Sequence, residues 1–256
     1  MDDKELLKER FKSAVSSTVK AISGNFDLEI KFGGSSASKE NSLSLPEVAS
    51  LKKMQDFTNL RAYADSEALK IKYTDKKIYL KNEPEGAMSK ALYAIAEKIR
   101  YEKIGSNKLK GVKNNLIQCY ENKFKNKKIE EIKTDADVPI TEAFELYLRS
   151  HFFKIKENDI TKKVLSCWKD LFNKNLNKNL KELSSYIENQ AKFNQLVANL
   201  IENLDFEDLD SKKEEKETTK ENNSQSKENK DENNLSENSE EQISDSEQNI
   251  FENSLE

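Results

Sequence analysis

Along most of this chain, hydrophobic positions recur at steps of three and four, the period of an amphipathic helix; they alternate over only a few short stretches. Leu6, Leu7, Phe11, Val15, Val19 and Ile22 form a first helical stripe that ends at Gly24. "FDLEIKFGG" alternates instead. It puts Phe26, Leu28, Ile30 and Phe32 on one face, as a half-buried strand does, and Gly33 and Gly34 close it. A second helix is predicted over residues 46–64, where Leu51, Met54 and Phe57 share a face. In "ALKIKYTDKKIYL", Leu69, Ile71 and Tyr73 alternate before Thr74-Asp75-Lys76, and Ile78 and Leu80 follow; this predicts a hairpin.

After Pro84 the chain reads as helix. Met88, Ala91, Leu92, Ile95 and Ile99 lie on one stripe over residues 87–104, and Gly105 stands where a left-handed C-cap belongs. Leu109, Val112 and Leu116 resume the period, with Ser106 or Asn107 as the next N-cap. Gly111 then falls inside a helix, where glycine costs about 1 kcal/mol relative to alanine, so it points to close backbone packing or a contact surface. "ITEAFELYLRSHFF" and "DITKKVLSCWKDLF" add two more helices. A long amphipathic run over 176–204 follows, with Leu176, Leu180, Leu183, Ile187, Leu196 and Leu200 on its stripe. The expected fold class is α+β: mostly helical, with one small sheet of about three short strands, over residues 1–204.

Charge divides the chain in the same place. Residues 205–256 hold 18 acidic and 6 basic side chains, a net of −12, which leaves +8 for residues 1–204 against a total of −4. Few aliphatic or aromatic residues occur in this tail. Burial cannot offset roughly 1–2 kcal/mol of ordering entropy per residue, so it is expected to be a disordered acidic linker. Cys119 and Cys167 lie far apart, outside any metal-ligand spacing, and read as small hydrophobes in a reducing compartment. The N-terminus is charged from Asp2 onward, and no stretch approaches the roughly 20 apolar residues of a membrane span. A cytoplasmic protein is expected.

The search for chemistry returns little. "KIGSNKLKGVKNNL" places five residues between Gly105 and Gly111 and follows with Val112 and Lys113, so it fails the phosphate-loop pattern in spacing and in side chains. Gly33-Gly34 lacks the order of a dinucleotide fingerprint. His151 is the single histidine and reads as a structural side chain near a helix end, and Trp168 as a core anchor. No carboxylate stands out among apolar neighbours as one with a raised pKa. "NKFKNKKIEEIK" and "FNKNLNKNLKEL" are basic, but glutamates follow each, and Phe124 and Phe172 fall where helix cores need them. A basic helical nucleic-acid-binding module with an autoinhibitory acidic tail is the alternative functional reading.

The run "EPEGAMSKALYAIAEKIRYEKIGSNKLKGVKNNL", with the later "TDADVPITEAFELYLRSHF", resembles the N-terminal domain of the aerobic cobaltochelatase subunit CobT. That family has a Pro-Glu-Gly entry, an acid-x-x-Arg turn, an Ile-Gly pair and a Gly-Val-x-x-Asn-Leu segment. These correspond to Pro84, Glu85 and Gly86; Glu97 and Arg100; Ile104 and Gly105; and Gly111, Val112, Asn115 and Leu116. Asp-x-Ala-Asp-x-Pro corresponds to Asp135, Asp137 and Pro139, with Ala136 displaced by one position. The likeness covers roughly residues 8–206.

The resemblance implies a subunit without catalytic, cofactor-binding or metal-binding residues of its own. Its partners would be an AAA+ ATPase subunit (CobS-like) and a large porphyrinoid-binding subunit (CobN-like), in a ring assembly that inserts cobalt(II) into hydrogenobyrinic acid a,c-diamide. ATP, magnesium and cobalt(II) would be used by the complex. Gly86, Glu97, Arg100, Gly105, Gly111, Asn115, Asp135 and Asp137 become expected turn or partner-contact residues. The family's Asp-x-Ser-x-Ser motif, from a von Willebrand factor A-like domain, does not occur in these 256 residues. A fragment, a split gene product or a degenerate subunit is therefore expected.

Overall fold

The computed structural model describes residues 3–204, apart from 34–40, 49–52, 126–128, 133, 135 and 136. The acidic tail and most of the polar loop after Gly34 lie outside the described residues. The elements are α1 (Asp3–Ser23), β1 (Glu29–Phe32), β2 (Ser42–Leu45), α2 (Met54–Tyr73), α3 (Lys76–Asn82) and α4 (Ala87–Lys108). They continue with α5 (Lys110–Lys125), α6 (Ile140–Phe153), α7 (Asp159–Asn175), α8 (Leu180–Ser185) and α9 (Gln190–Glu202). The fold is α+β and dominated by helix, as expected.

Helix α4 organises the packing. It touches α2, α5, α6 and α9, and its apolar stripe of Leu92, Ala96 and Ile99 has no exposed surface. On one side, Val15, Val19 and Ile22 of α1 join Leu28, Leu43 and Leu45 of the sheet, Ala64, Ala68 and Leu69 of α2, and Val112 and Leu116 of α5. On the other, α4 meets a larger cluster built by α6 to α9, in which Phe144, Phe172 and Phe193 are buried. Each buried Leu, Ile or Phe contributes about 1.5–3 kcal/mol. Trp168 anchors α7 as expected, its indole N–H donating to the Val138 carbonyl at 3.0 Å.

The sheet among the described residues has two parallel strands, paired from Glu29 with Ser42 to Phe32 with Leu45. The second strand was not anticipated. Leu43 and Leu45 are its only apolar positions, too few for a period to show. The predicted hairpin over 69–80 is helix. Its alternation of Leu69, Ile71 and Tyr73 is accidental, because Ile71 is solvent-exposed and the true stripe is the four-residue repeat Leu60, Ala64 and Ala68. Asp75 does not turn a hairpin; its carboxylate accepts the Lys77 and Ile78 amides and caps α3. The helix predicted from residue 46 begins at Met54, which is exposed, while Phe57 packs edge-on against Phe11. The long run over 176–204 is broken into a 3-10 turn at Asn177–Asn179, α8 and α9. Asn189 ends the break by accepting the Lys192 amide as N-cap of α9.

The two glycines of the basic stretch exchange roles. Gly105 is not a C-cap but lies three residues inside the end of α4, and a Cβ there would overlap the Leu69 isobutyl group of α2. The helix instead ends at Leu109, whose amide donates to the Gly105 carbonyl at 2.8 Å. Gly111 meets nothing within 4 Å. Gly105→Ala should therefore destabilise by about 1–3 kcal/mol through overpacking. Gly111→Ala should stabilise by about 0.5 kcal/mol through a less mobile unfolded chain. Urea midpoints of the two variants check the pair; equal shifts in either direction would be incompatible with this packing.

Candidate functional site

Placing α4 in the centre of the body buries its charged side chains in two polar joints, and a third joins α2 to α5. In the first, the Arg100 guanidinium, 1 % exposed, donates from Nε to Glu97 Oε2 and from Nη2 to Glu97 Oε1, both at 2.8 Å. Its remaining donors reach the Ile187 carbonyl, at 3.3 Å, and the Tyr73 carbonyl. Thr74 Oγ1 donates to Glu97 Oε1 at 2.9 Å. Gln190 grips the same turn, accepting the Asp75 amide at 2.8 Å and donating to the Asp75 carbonyl at 3.2 Å. The acid-x-x-Arg turn thus ties the α2–α3 reversal and the α8–α9 reversal to α4.

The second joint is larger. Glu102 accepts from Ser66 Oγ at 2.6 Å and pairs with Arg149 Nη1 at 2.7 Å. Arg149 Nε donates to Glu145 Oε1 at 2.8 Å, and Lys123 Nζ reaches Glu145 Oε2 at 2.9 Å. The guanidinium also stacks 4.6 Å from the Tyr120 ring centroid. Burial opposes the Glu145 charge, yet Lys123, Arg149 and Lys98 together hold its pKa below the usual carboxylate range. In the third joint Asp65, with no exposed surface, pairs with Arg61 at 2.9 Å and accepts from Asn115 Nδ2 at 2.8 Å. Burial raises its pKa in spite of Arg61 and Asn115. This is the carboxylate among apolar neighbours that the sequence reading did not find.

Of the residues carrying the resemblance, Glu97, Arg100 and Asn115 lie in these joints and Gly105 in the α2–α4 contact. Gly86 enters α4 at φ 85°, a conformation that favours glycine, and its carbonyl accepts the Lys90 amide at 3.0 Å. Gly111 is exposed at the start of α5. Asp137 closes a surface turn, accepting the Thr134 amide at 2.8 Å; Asp135 lies outside the described residues. Sequence reasoning missed Asp65, Ser66, Glu102, Glu145 and Arg149. Their signal is position: Glu102 continues the Leu92–Ile95–Ile99 stripe, and Arg149 stands on the buried stripe of Leu146 and Phe153, four residues from Glu145.

His151 occupies the last turn of α6, partly buried, with Nε2 3.0 Å from Ser184 Oγ. Burial first, then the Lys154 charge, holds its pKa below the usual histidine value. It lines an open cleft of about 470 Å³ between α6 and α7. Among the described residues no group of three His, Cys, Asp or Glu side chains is placed to hold a metal ion, and no helix is long and apolar enough to cross a membrane. Burial pushes the Cys119 thiol up to about 11, so it has little thiolate at neutral pH.

These features define a helical scaffold whose buried charges connect elements to one another. The family model for cobalamin biosynthesis protein CobT matches residues 6–254. The chain belongs to the CobT family and so to the proteins of cobalamin biosynthesis. No solved structure matches it.

Arg149→Ala would leave Glu102 buried with only the Ser66 hydroxyl, and Glu145 with Lys123 as its remaining close cation, and should cost about 3–5 kcal/mol of stability, read from denaturant unfolding. The Glu145 contribution has a defined pH window. Its folded pKa lies below its ordinary value of 4.5, so the stabilisation is complete above that value and drains as pH falls towards the depressed one. The acid limb of stability against pH should therefore be shallower in Glu145→Gln than in the parent. Parallel limbs below pH 4.5 would contradict the pairing.

Proposed function

We propose that this chain is a non-catalytic module of an ATP-dependent cobaltochelatase, acting in the cytoplasm, that docks an AAA+ ATPase subunit and a large porphyrinoid-binding subunit. Cobalt(II) is the cargo and hydrogenobyrinic acid a,c-diamide the acceptor. ATP and magnesium are handled by the ATPase subunit, in a ring assembly.

One observation carries this reading. The family-type residues Glu97, Arg100, Gly105 and Asn115 act on neighbouring helices and on chain reversals, not on a shared cavity. Such residues hold the shape of a surface. A module that transmits the ATPase's conformational change needs that rigidity, because a load applied at one face reaches another only through elements that do not slip. The basic stretch between α4 and α5 supports the assignment of ATP to a partner. Its glycines are used for helix packing and helix entry, and the stretch lacks the spacing, lysine and hydroxyl of a phosphate loop.

Co-purification of the full chain with its cognate ATPase and large subunits tests the proposal. Association at micromolar concentration, strengthened or weakened by ATP, is expected. Lack of association with either subunit, with and without ATP, would overturn it, as would ATP turnover or metal insertion by the isolated chain.

A further inference from the structure

The cleft between α6 and α7 is lined mainly by polar side chains of both helices. Ser150 and His151 come from α6; Lys162, Ser166, Lys169 and Asn173 recur along α7 at steps of four, three and four. Lys154, the left-handed cap residue of α6 at φ 55°, stands three residues beyond His151. Leu165 and Leu180 contribute apolar lining, and Ser150 Oγ is buried there without a hydrogen-bond partner. Glu157 is the one carboxylate in the lining.

Some surface lysines are already committed to carboxylates. Lys12, Lys31, Lys90 and Lys123 each lie 2.9–3.4 Å from a carboxylate. Lys154, Lys162 and Lys169 pair with no carboxylate among the described residues, and neither does Lys103, which rests over the Phe153 ring. Their field is felt locally. Burial first, then Lys113 and Lys154, lowers the Lys103 pKa, and Lys154 and Lys103 both act on His151. Such a cleft suits an extended polyanion with occasional apolar side chains.

The chain itself contains one. All six lysines of residues 205–256 fall at or before Lys230, so residues 231–256 carry nine carboxylate side chains and no basic one. Leu235, Ile243, Ile250 and Phe251 are spaced among them. We propose that residues 231–256 dock within the same molecule along the α6–α7 cleft, their carboxylates against Lys154, Lys162 and Lys169. The tether permits it. A 26-residue segment obeying coil statistics would reach roughly 25–30 Å, comparable with the dimensions of a body of this size. Tethering gives an effective concentration on the order of millimolar, so a weak ionic contact is enough to populate the docked state. This inference is independent of the chelatase reading.

Carbodiimide coupling of the full chain, which joins only touching carboxylates and amines, provides the test when mapped by mass spectrometry in a mixture of light and heavy isotopic chains. Links from 231–256 to Lys154, Lys162 and Lys169 should exceed those to the exposed Lys77 and Lys81 at least threefold. They should join like isotopes, and they should fall at least threefold between 50 and 500 mM salt. In a second chain, with the nine carboxylates changed to their amides and the body untouched, acetylation of Lys154, Lys162 and Lys169 should rise at least twofold while Lys77 and Lys81 stay constant. Evenly spread links, links predominantly between light and heavy chains, or unchanged acetylation would each overturn the proposal.

Discussion

Burying a charged helix imposes the central constraint on this fold. Helix α4 lies between the two hydrophobic clusters, yet Glu97, Arg100 and Glu102 are all at or below 3 % exposure. An ionised side chain removed from water must recover its hydration from fixed partners. Arg100 therefore spends its fork on Glu97 and on two carbonyls at chain reversals, while Glu102 recruits Ser66 from α2 and Arg149 from α6. The partners come from elements distant in sequence. Those elements can pack on α4 only in arrangements that bring the partners to it, so the ion pairs select the relative placement of helices that apolar contacts alone would leave more degenerate.

The same constraint explains why close approach is needed at Gly105. Ser66 reaches Glu102 one helical turn away from where Leu69 rests on Gly105. A side chain at 105 would lift α2 from α4 and lengthen a 2.6 Å hydrogen bond between buried groups, so a packing defect and an electrostatic one are coupled there. Backbone clearance and charge satisfaction form a single design problem at this crossing. Glycine solves both parts by supplying no atoms.

Legibility in the sequence follows from this. Helices α1, α4, α6 and α7 announce themselves through large apolar side chains at helical spacing. The C-terminal half of α2 does not, because its buried positions besides Leu69 are alanines, Asp65 and Ser66, and Leu69 reads in alternation with Ile71 and Tyr73, of which Ile71 points to water. The break after α8 is equally quiet, since Ile187 keeps the apolar period through a non-helical turn and only Asn189 signals a new start. Buried charges were the least legible feature. Glu97 and Arg100 were singled out by resemblance, but nothing local distinguishes a solvated i,i+3 pair from one sealed beneath Tyr73 and Ile187. That difference depends on which helices arrive from elsewhere in the chain.

The interior joints also decide where the molecule's net charge resides. Arg61, Arg100, Arg149 and Lys123 are matched there by Asp65, Glu97, Glu102 and Glu145, four cations against four carboxylates, so the joints add nothing to the +8 of residues 1–204. The excess positive charge must lie on side chains outside them. At physiological salt such charges act over about 8 Å, close enough for patches of the surface to be distinguished by a partner but too short for the body to behave as one uniform cation. Neutral joints inside and local basic patches outside are complementary consequences of the same requirement: a charge that cannot find a partner in the core has to face water, where another segment or another subunit can find it.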